Sequence, residues 1–217
     1  ENDEAYAITS TSDGNFIVAG ATASFSAGDE EVYILKIKPN GDTLWTKTYG
    51  GTGEDYATAI APTLDGNFIV VGGTNTTVTG YNDVFLLKIT PKGDTLWTKT
   101  YGGIYNDDAS AITPTPDGNF IVVGLASSID GNSCDVYILK IKPNGDILWT
   151  KKYGGTGSDV AWSITPTPDG DFIIAGQTTS FGADSGDIYL LKIKQNGDTI
   201  WTKTYGGNGD DGACAII

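Results

Sequence analysis

Five aspartates recur at a constant spacing and are the first residues in this chain that could do chemistry. Each is 52 residues from the next: Asp3, Asp55, Asp107, Asp159 and Asp211. Convergent carboxylates could hold Ca²⁺, which prefers oxygen ligands, and would repel one another without it. We favour two other interpretations, in which each carboxylate caps the Gly-Gly turn before it or pairs with a lysine such as Lys36 or Lys88. The sequence therefore predicts no cofactor, with Ca²⁺ as the alternative.

The same aspartates raise the question of catalysis. Glycosidases use two carboxyl groups, one as an acid with a raised pKa and one as a base or nucleophile. A catalytic pair should break the repeat symmetry, whereas these aspartates are the same in every repeat. The chain has no His, which excludes His-based triads, general catalysis by His and His-ligated zinc. We therefore predict that the protein is not an enzyme, and a glycoside-acting enzyme using the repeated Asp is the weakest alternative.

The charge balance restricts the partners. The chain carries 27 acidic residues against 13 lysines, has no arginine, and has a net charge of -14. Nucleic acid and anionic membrane surfaces need concentrated positive charge, so neither is expected as a partner. No apolar run approaches the roughly 20 residues of a membrane span. Cys134 and Cys214 occupy non-equivalent repeat positions, and a disulfide between them stays open.

The elements that must position these side chains are short and β-like. In the repeat over 53–104, four runs of about 6 residues are separated by turn signals, including Asp65-Gly66. We label these runs A, B, C and D in chain order. The pattern predicts an all-β fold, a β-propeller of four-stranded antiparallel blades forming a single domain over 1–217. The repeats are 1–52, 53–104, 105–156 and 157–208, and 209–217 is expected to add one extra strand.

Three phrases of the repeat carry a family resemblance. They are WTKTYGG, DGNFIVVGG and DVFLLKI, and the match extends over the whole chain. They resemble the propeller repeats of secreted and surface proteins of bacteria and some archaea and, more distantly, kelch repeats. The resemblance implies an extracellular or cell-surface propeller. Strand B ends in Gly20, Gly124 and Gly176 without the full Gly-Gly pair of kelch repeats, so kelch-type partner binding is not carried over.

The connections between strands B and C vary while the rest of the repeat is constant. They cover 21–31, 73–83, 125–135 and 177–187, and variable loops on a constant scaffold are typical of a binding surface. The candidate ligand-binding residues are Phe25, Tyr81, Phe181, Asp29, Asp83 and Asp187. The rings could stack on glycans, or each could pack under its own loop. Asn75 begins an N-x-[ST] sequon and is a candidate glycosylation site.

The last seven residues repeat the start of the chain. Residues 211–217 read DGACAII, against DEAYAIT at 3–9, so a fifth A strand follows four complete repeats. We expect it to join further blades of a longer chain or to exchange with a second copy, building an oligomer or fibre. The predicted contact residues are Asp211, Ala213, Cys214, Ala215, Ile216, Ile217, Ala5, Ala7 and Ile8. The predicted function is a non-enzymatic, structural or self-assembling scaffold, and the alternative is a carbohydrate- or protein-binding module using the B-to-C loops.

Overall fold

The computed structural model of the chain describes residues 2–25, 29–75, 81–128, 131–182 and 185–217. All regular structure in these residues is β-strand, arranged as four antiparallel sheets of four strands each. The first sheet contains β1 (Asp3–Ser10), β2 (Phe16–Thr22), β3 (Glu31–Ile37) and β4 (Thr43–Tyr49). The second contains β5 (Asp55–Pro62), β6 (Phe68–Thr74), β7 (Asp83–Ile89) and β8 (Thr95–Tyr101). The third contains β9 (Asp107–Pro114), β10 (Phe120–Ser127), β11 (Cys134–Ile141) and β12 (Ile147–Tyr153). The fourth contains β13 (Asp159–Pro166), β14 (Phe172–Thr178), β15 (Asp187–Ile193) and β16 (Thr199–Tyr205).

Each sheet is one repeat, and its strands are neighbours in chain order. The Asp-Gly pairs form the predicted turns: Gly66 has φ 77° and donates its backbone N–H to Thr63 O at 3.0 Å. Such a positive φ is accessible to glycine at no steric cost, which is why the turn carries it. The predicted fold of four-stranded antiparallel sheets is confirmed.

The sheets pack into two compact units, Glu1–Ala109 and Ser110–Ile217. In each unit the B and C strands supply most of the core, which includes Ile17, Ile34 and Val70 in the first unit and Ile121, Ile138 and Ile174 in the second. The D strands alternate as expected, with Leu96 49% exposed and Trp97 half-buried. That the chain forms a single domain stays a prediction.

Small residues in the A and B strands allow close backbone contact. In the second sheet, a Cβ on Gly72 would lie 1.9 Å from the backbone oxygen of Tyr56, and Ala57 beside it is 0% exposed. Strand β5 also contacts β1, β2 and β3 of the first sheet. The small side chains are therefore needed where an A strand is packed between its own sheet and the preceding one.

The extra strand predicted over 209–217 is not formed. The last strand ends at Tyr205, and the segment after it has no ladder partner among the described residues. In the complete repeats, strand A pairs with strand B of its own repeat, as β5 does with β6. No such B strand lies among the residues that the structure describes after Tyr205, which explains why the segment is not a strand.

Within the described ranges, no helix has the length and apolarity to span a membrane.

Candidate functional site

The repeated aspartates cap the turns that precede them. In four of them one Oδ2 accepts a backbone N–H four residues upstream: Gly51 to Asp55 at 2.7 Å, Gly103 to Asp107 at 2.6 Å, Gly155 to Asp159 at 2.9 Å and Gly207 to Asp211 at 3.0 Å. The capping interpretation is thus confirmed for these four. The lysine-pairing interpretation is wrong, because Lys36 and Lys88 form ion pairs with Asp13 and Asp65 of the A-to-B turns.

The described residues contain no cluster of acidic side chains of the kind that would bind Ca²⁺. Across the described ranges, no three acidic or cysteine side chains are grouped so that they could hold a metal ion. Asp55 and Asp159 are 0% exposed and direct one oxygen at an amide of their own turn. A Ca²⁺ site at these aspartates stays a prediction.

The hydrogen bonds around these carboxylates differ between repeats. In the fourth repeat, Asp159 accepts hydrogen bonds from the Thr178 hydroxyl and, at 2.5 Å, from the Ser180 hydroxyl, in addition to the Gly155 amide. In the second repeat, Asp55 Oδ1 and Thr74 Oγ1 are both buried and have no hydrogen-bond partner among the described residues. The same sequence position is therefore fully satisfied in one repeat and half satisfied in another.

A second repeated site joins strand C to the A-to-B turn. Lysine Nζ atoms lie 2.6–2.7 Å from turn carboxylates in all four repeats: Lys36 to Asp13, Lys88 to Asp65, Lys140 to Asp117 and Lys192 to Asp169. The first three lysine side chains are 7% exposed. The hydrogen bonds from Lys192 and Thr167 lower the pKa of Asp169 to about 2. These ion pairs were not predicted, and the sequence signal that marks them is a lysine at one fixed position in each apolar C strand.

The predicted ligand-binding acids differ in their exposure. Asp29 is exposed, whereas Asp187 is 2% exposed. A Cβ on Gly102 would lie 1.9 Å from Asp83 Oδ1, and one on Gly206 would lie 1.9 Å from Asp187 Oδ1, so both acids lie against Gly-Gly turns. Burial raises the pKa of Asp83. Their role as ligand-binding residues stays a prediction.

The three candidate aromatic side chains each contact another ring. Phe25 stacks on Tyr33 with centroids 5.6 Å apart, Phe181 lies 5.8 Å from Tyr189, and Tyr81 meets Tyr105 edge to face at 5.3 Å. They remain 65%, 43% and 40% exposed respectively. Asn75 is half-buried and donates its backbone N–H to Glu54 O, while Thr76 and Thr77 of its sequon lie outside the described residues.

A buried polar cluster in the first unit was not predicted. The Tyr56 hydroxyl donates to Asp108 Oδ2 and accepts from Asn82 Nδ2 at 3.1 Å, while Asp108 Oδ1 is buried and has no partner in the part of the chain that the structure describes. Burial raises the pKa of Asp108 to about 6. Because Tyr56 and Asp108 are also 52 residues apart, the spacing was visible, but the change of residue type concealed the contact.

One end of the described chain lies where an A strand would begin, and the other end is an A strand that is exposed. Asp211 donates its backbone N–H to Gly186 O at 2.7 Å, as Asp55 does to Glu30 O and Asp107 to Asn82 O at 2.8 Å. The segment 211–217 thus begins where the A strand of a following repeat would begin. In β1, Ala5 is exposed, Tyr6 is 55% exposed and Ile8 is 60% exposed. Cys134 and Cys214 are free thiols.

Two sequence relatives are distant and much longer than the chain. No family model matches it. It is 25% identical over 190 residues to the regulatory protein FlaEY of Caulobacter vibrioides, a match covering 76% of the chain and 19% of that protein. It is 22% identical over 197 residues to an uncharacterized WD repeat-containing protein of Acanthamoeba polyphaga mimivirus, covering 67% of the chain and 14% of that protein. The chain therefore spans less than a fifth of either relative.

Solved structures define the fold class. The WD40 domain of Neurospora crassa Pan2 aligns with a TM-score of 0.52 at 12% identity, over 93% of this chain and 66% of that one. The endo-arabinase of Bacteroides thetaiotaomicron aligns with a TM-score of 0.52 at 13% identity, over 90% of this chain and 78% of that one. The chain is a β-propeller repeat protein. At these identities the likeness extends to the fold alone.

Proposed function

We propose that this protein is a non-enzymatic β-propeller scaffold that assembles by exchanging A strands between copies. The segment 211–217 of one copy would replace β1 on β2 of the next. The observation that carries the proposal is that 211–217 repeats the A-strand sequence and starts in the A-strand position, yet forms no strand ladder among the described residues. It contacts β14 through a backbone hydrogen bond, from Ala213 N–H to Gly176 O at 3.3 Å.

The receiving position is held less tightly than its counterparts. Ala57 and Ala161 in the A strands of the second and fourth repeats are 0% exposed, whereas Ala5 in β1 is exposed. In the exchanged assembly, 211–217 would form with β2 of the next copy the ladder that β1 otherwise forms. The exchange would also add a packing contact like the one that β5 makes on the first sheet. Addition of a strand from another chain is a common mode of recognition, and head-to-tail exchange produces open chains of subunits.

The fold supports a scaffold or binding role, and the absence of enzyme activity is part of the proposal. The repeated carboxylates cap turns or pair with lysines, so their contacts are those of structural groups. One structural neighbour is named as an arabinase, and that activity is a property of the neighbour. An extracellular or cell-surface location, supported by the repeat resemblance, completes the proposal and is tested by fractionating the source cells.

Deletion of residues 211–217 tests the assembly directly. We expect the full chain to sediment as concentration-dependent oligomers and the deletion variant to sediment as a monomer. Gly209→Ala is the matched control, because a Cβ at Gly209 meets nothing within 4 Å and should leave the oligomers unchanged. A full chain that is monomeric at every concentration, or oligomers that survive the deletion, would contradict the proposal. Further blades of a longer chain would then be the better partner for β1.

A further inference from the structure

The first unit contains a cavity that the proposed assembly does not use. Its volume is about 440 Å³, within the range typical of small-molecule sites. Its walls include Tyr49, Asp55, Thr74, Phe85, Thr98 and Lys99. It thus lies between the end of the first sheet and the second sheet, with a carboxylate, hydroxyls and aromatic rings on its walls.

Two of these wall residues carry buried oxygens without a partner. Asp55 is 0% exposed and Thr74 is 1% exposed, and neither Asp55 Oδ1 nor Thr74 Oγ1 has a hydrogen bond to any residue that the structure describes. A buried polar atom left unpaired is energetically costly and uncommon in proteins, so such a pair beside a cavity indicates a missing partner. The carboxylate's other oxygen is held by the Gly51 amide at 2.7 Å, which fixes its orientation.

The fourth repeat shows the same position with its partners present. Thr178 donates to Asp159, and the amides of Ser180 and Phe181 donate to Thr178 Oγ1 at 3.0 and 3.2 Å. Thr76, which corresponds to Ser180, lies outside the described residues. This fold can therefore satisfy the aspartate and the threonine, and in the second repeat the two oxygens at the cavity lack a partner among the described residues.

We propose that this cavity binds a neutral sugar residue. A carboxylate only accepts hydrogen bonds, whereas a threonine hydroxyl both donates and accepts, so together they match neighbouring sugar hydroxyls. Tyr49 and Phe85 line the cavity and supply apolar surface against which a sugar can pack. Ca²⁺ would need more oxygen ligands than these two side chains provide.

Titration with single sugars tests the proposal. The probes are glucose, galactose, mannose, xylose, arabinose and N-acetylglucosamine. Binding is measured from the NMR shifts of the backbone amides at sugar concentrations up to about 50 mM, because ligands of this size bind weakly. We expect at least one sugar to bind in the millimolar range and to shift the amides of Gly51, Asp55 and Thr74. Thr74→Val, which keeps the side-chain shape, should weaken binding about fivefold or more while leaving the unfolding midpoint unchanged.

Thr178→Val is the matched control. It makes the same change where the hydroxyl is already bonded to Asp159, so it should lower the unfolding midpoint and leave sugar affinity unchanged. The proposal is overturned if no sugar shifts these amides, or if Thr74→Val binds as well as the unmodified chain. Binding of CaCl₂ or of methylammonium at these amides, without sugar binding, would instead assign the cavity to a cation.

Discussion

Strands β1 and β5 have nearly the same sequence pattern and opposite surroundings. β1 reads DEAYAITS and is mostly exposed, whereas β5 reads DYATAIAP and has Asp55, Ala57 and Ala61 buried. The difference comes from the neighbour, because β5 packs on the first sheet while β1 packs mainly on its own. An A strand of this repeat is thus built to be covered, and β1 marks the place where the described fold leaves one uncovered.

The comparison predicts its largest effect at the paired alanines. Ala57→Asp would place an unpaired carboxylate in the core and should lower the free energy of unfolding by about 4 kcal/mol or prevent folding. Ala5→Asp at the matching position of β1 should cost less than about 1 kcal/mol in the monomer, because the new charge stays in water. Urea unfolding of both variants measures the two costs. Equal costs would show that β1 is covered in solution.

A smaller effect is expected from pH. Asp108 in β9 corresponds to Glu4 in β1. Because burial raises the folded pKa of Asp108 to about 6, the folded state keeps a proton that the unfolded chain loses near pH 4. Stability should therefore fall between about pH 4 and pH 6, by on the order of 2–3 kcal/mol.

Asp108→Asn tests this titration. The variant should remove the fall in stability as pH rises, whereas Glu4→Gln in the exposed strand should keep it. Urea midpoints at a series of pH values measure both. If the Asp108→Asn profile runs parallel to that of the unmodified chain, the fall has another source.

The smallest effect compares the serines that complete the caps. Ser180 donates to the buried Asp159 at 2.5 Å, and Ser24 donates to the exposed Asp3 at 2.8 Å. Ser180→Ala should cost about 1 kcal/mol and Ser24→Ala about 0.3 kcal/mol, because water replaces the bond at the exposed site. Thermal unfolding of the two variants gives the ranking. A larger loss for Ser24→Ala would contradict the claim that the hydrogen bond to the buried aspartate contributes more stability than the bond to the exposed one.

Much of the fold could be predicted from the sequence because each local pattern occurs in several repeats. The Asp-Gly turns, the apolar B and C strands and the alternating D strands each recur at 52-residue spacing, so local patterns could be checked against one another. The extra strand was predicted wrongly for a related reason. Sequence similarity to β1 indicates strand propensity, but a strand also needs a partner for its ladder, and the pattern does not say which residues provide it.

The site was less predictable, because its contacts join residues whose spacing is not that of the repeat. Lys88 and Asp65 are close only because β6 and β7 bring strand C against the A-to-B turn. Likewise, Asp55 and Asp159 occupy the same position of the repeat. Their different hydrogen bonds depend on the B-to-C loop that follows Thr74 or Thr178. Those loops are the variable part of the repeat, so their contacts do not follow from its periodicity.

Strand exchange makes one register prediction that can be measured directly. Ala7 pairs with Ala19 in the first sheet, and Ala215 is the residue of 211–217 that corresponds to Ala7. The variant A19C/A215C, made with C134S and C214S and oxidised gently, should form disulfide-linked dimers and longer chains on a non-reducing gel, while A19C alone should not. Disulfide-linked multimers are the result that the account predicts. A variant that stays a single chain, while both thiols remain free and the protein remains folded, would contradict it.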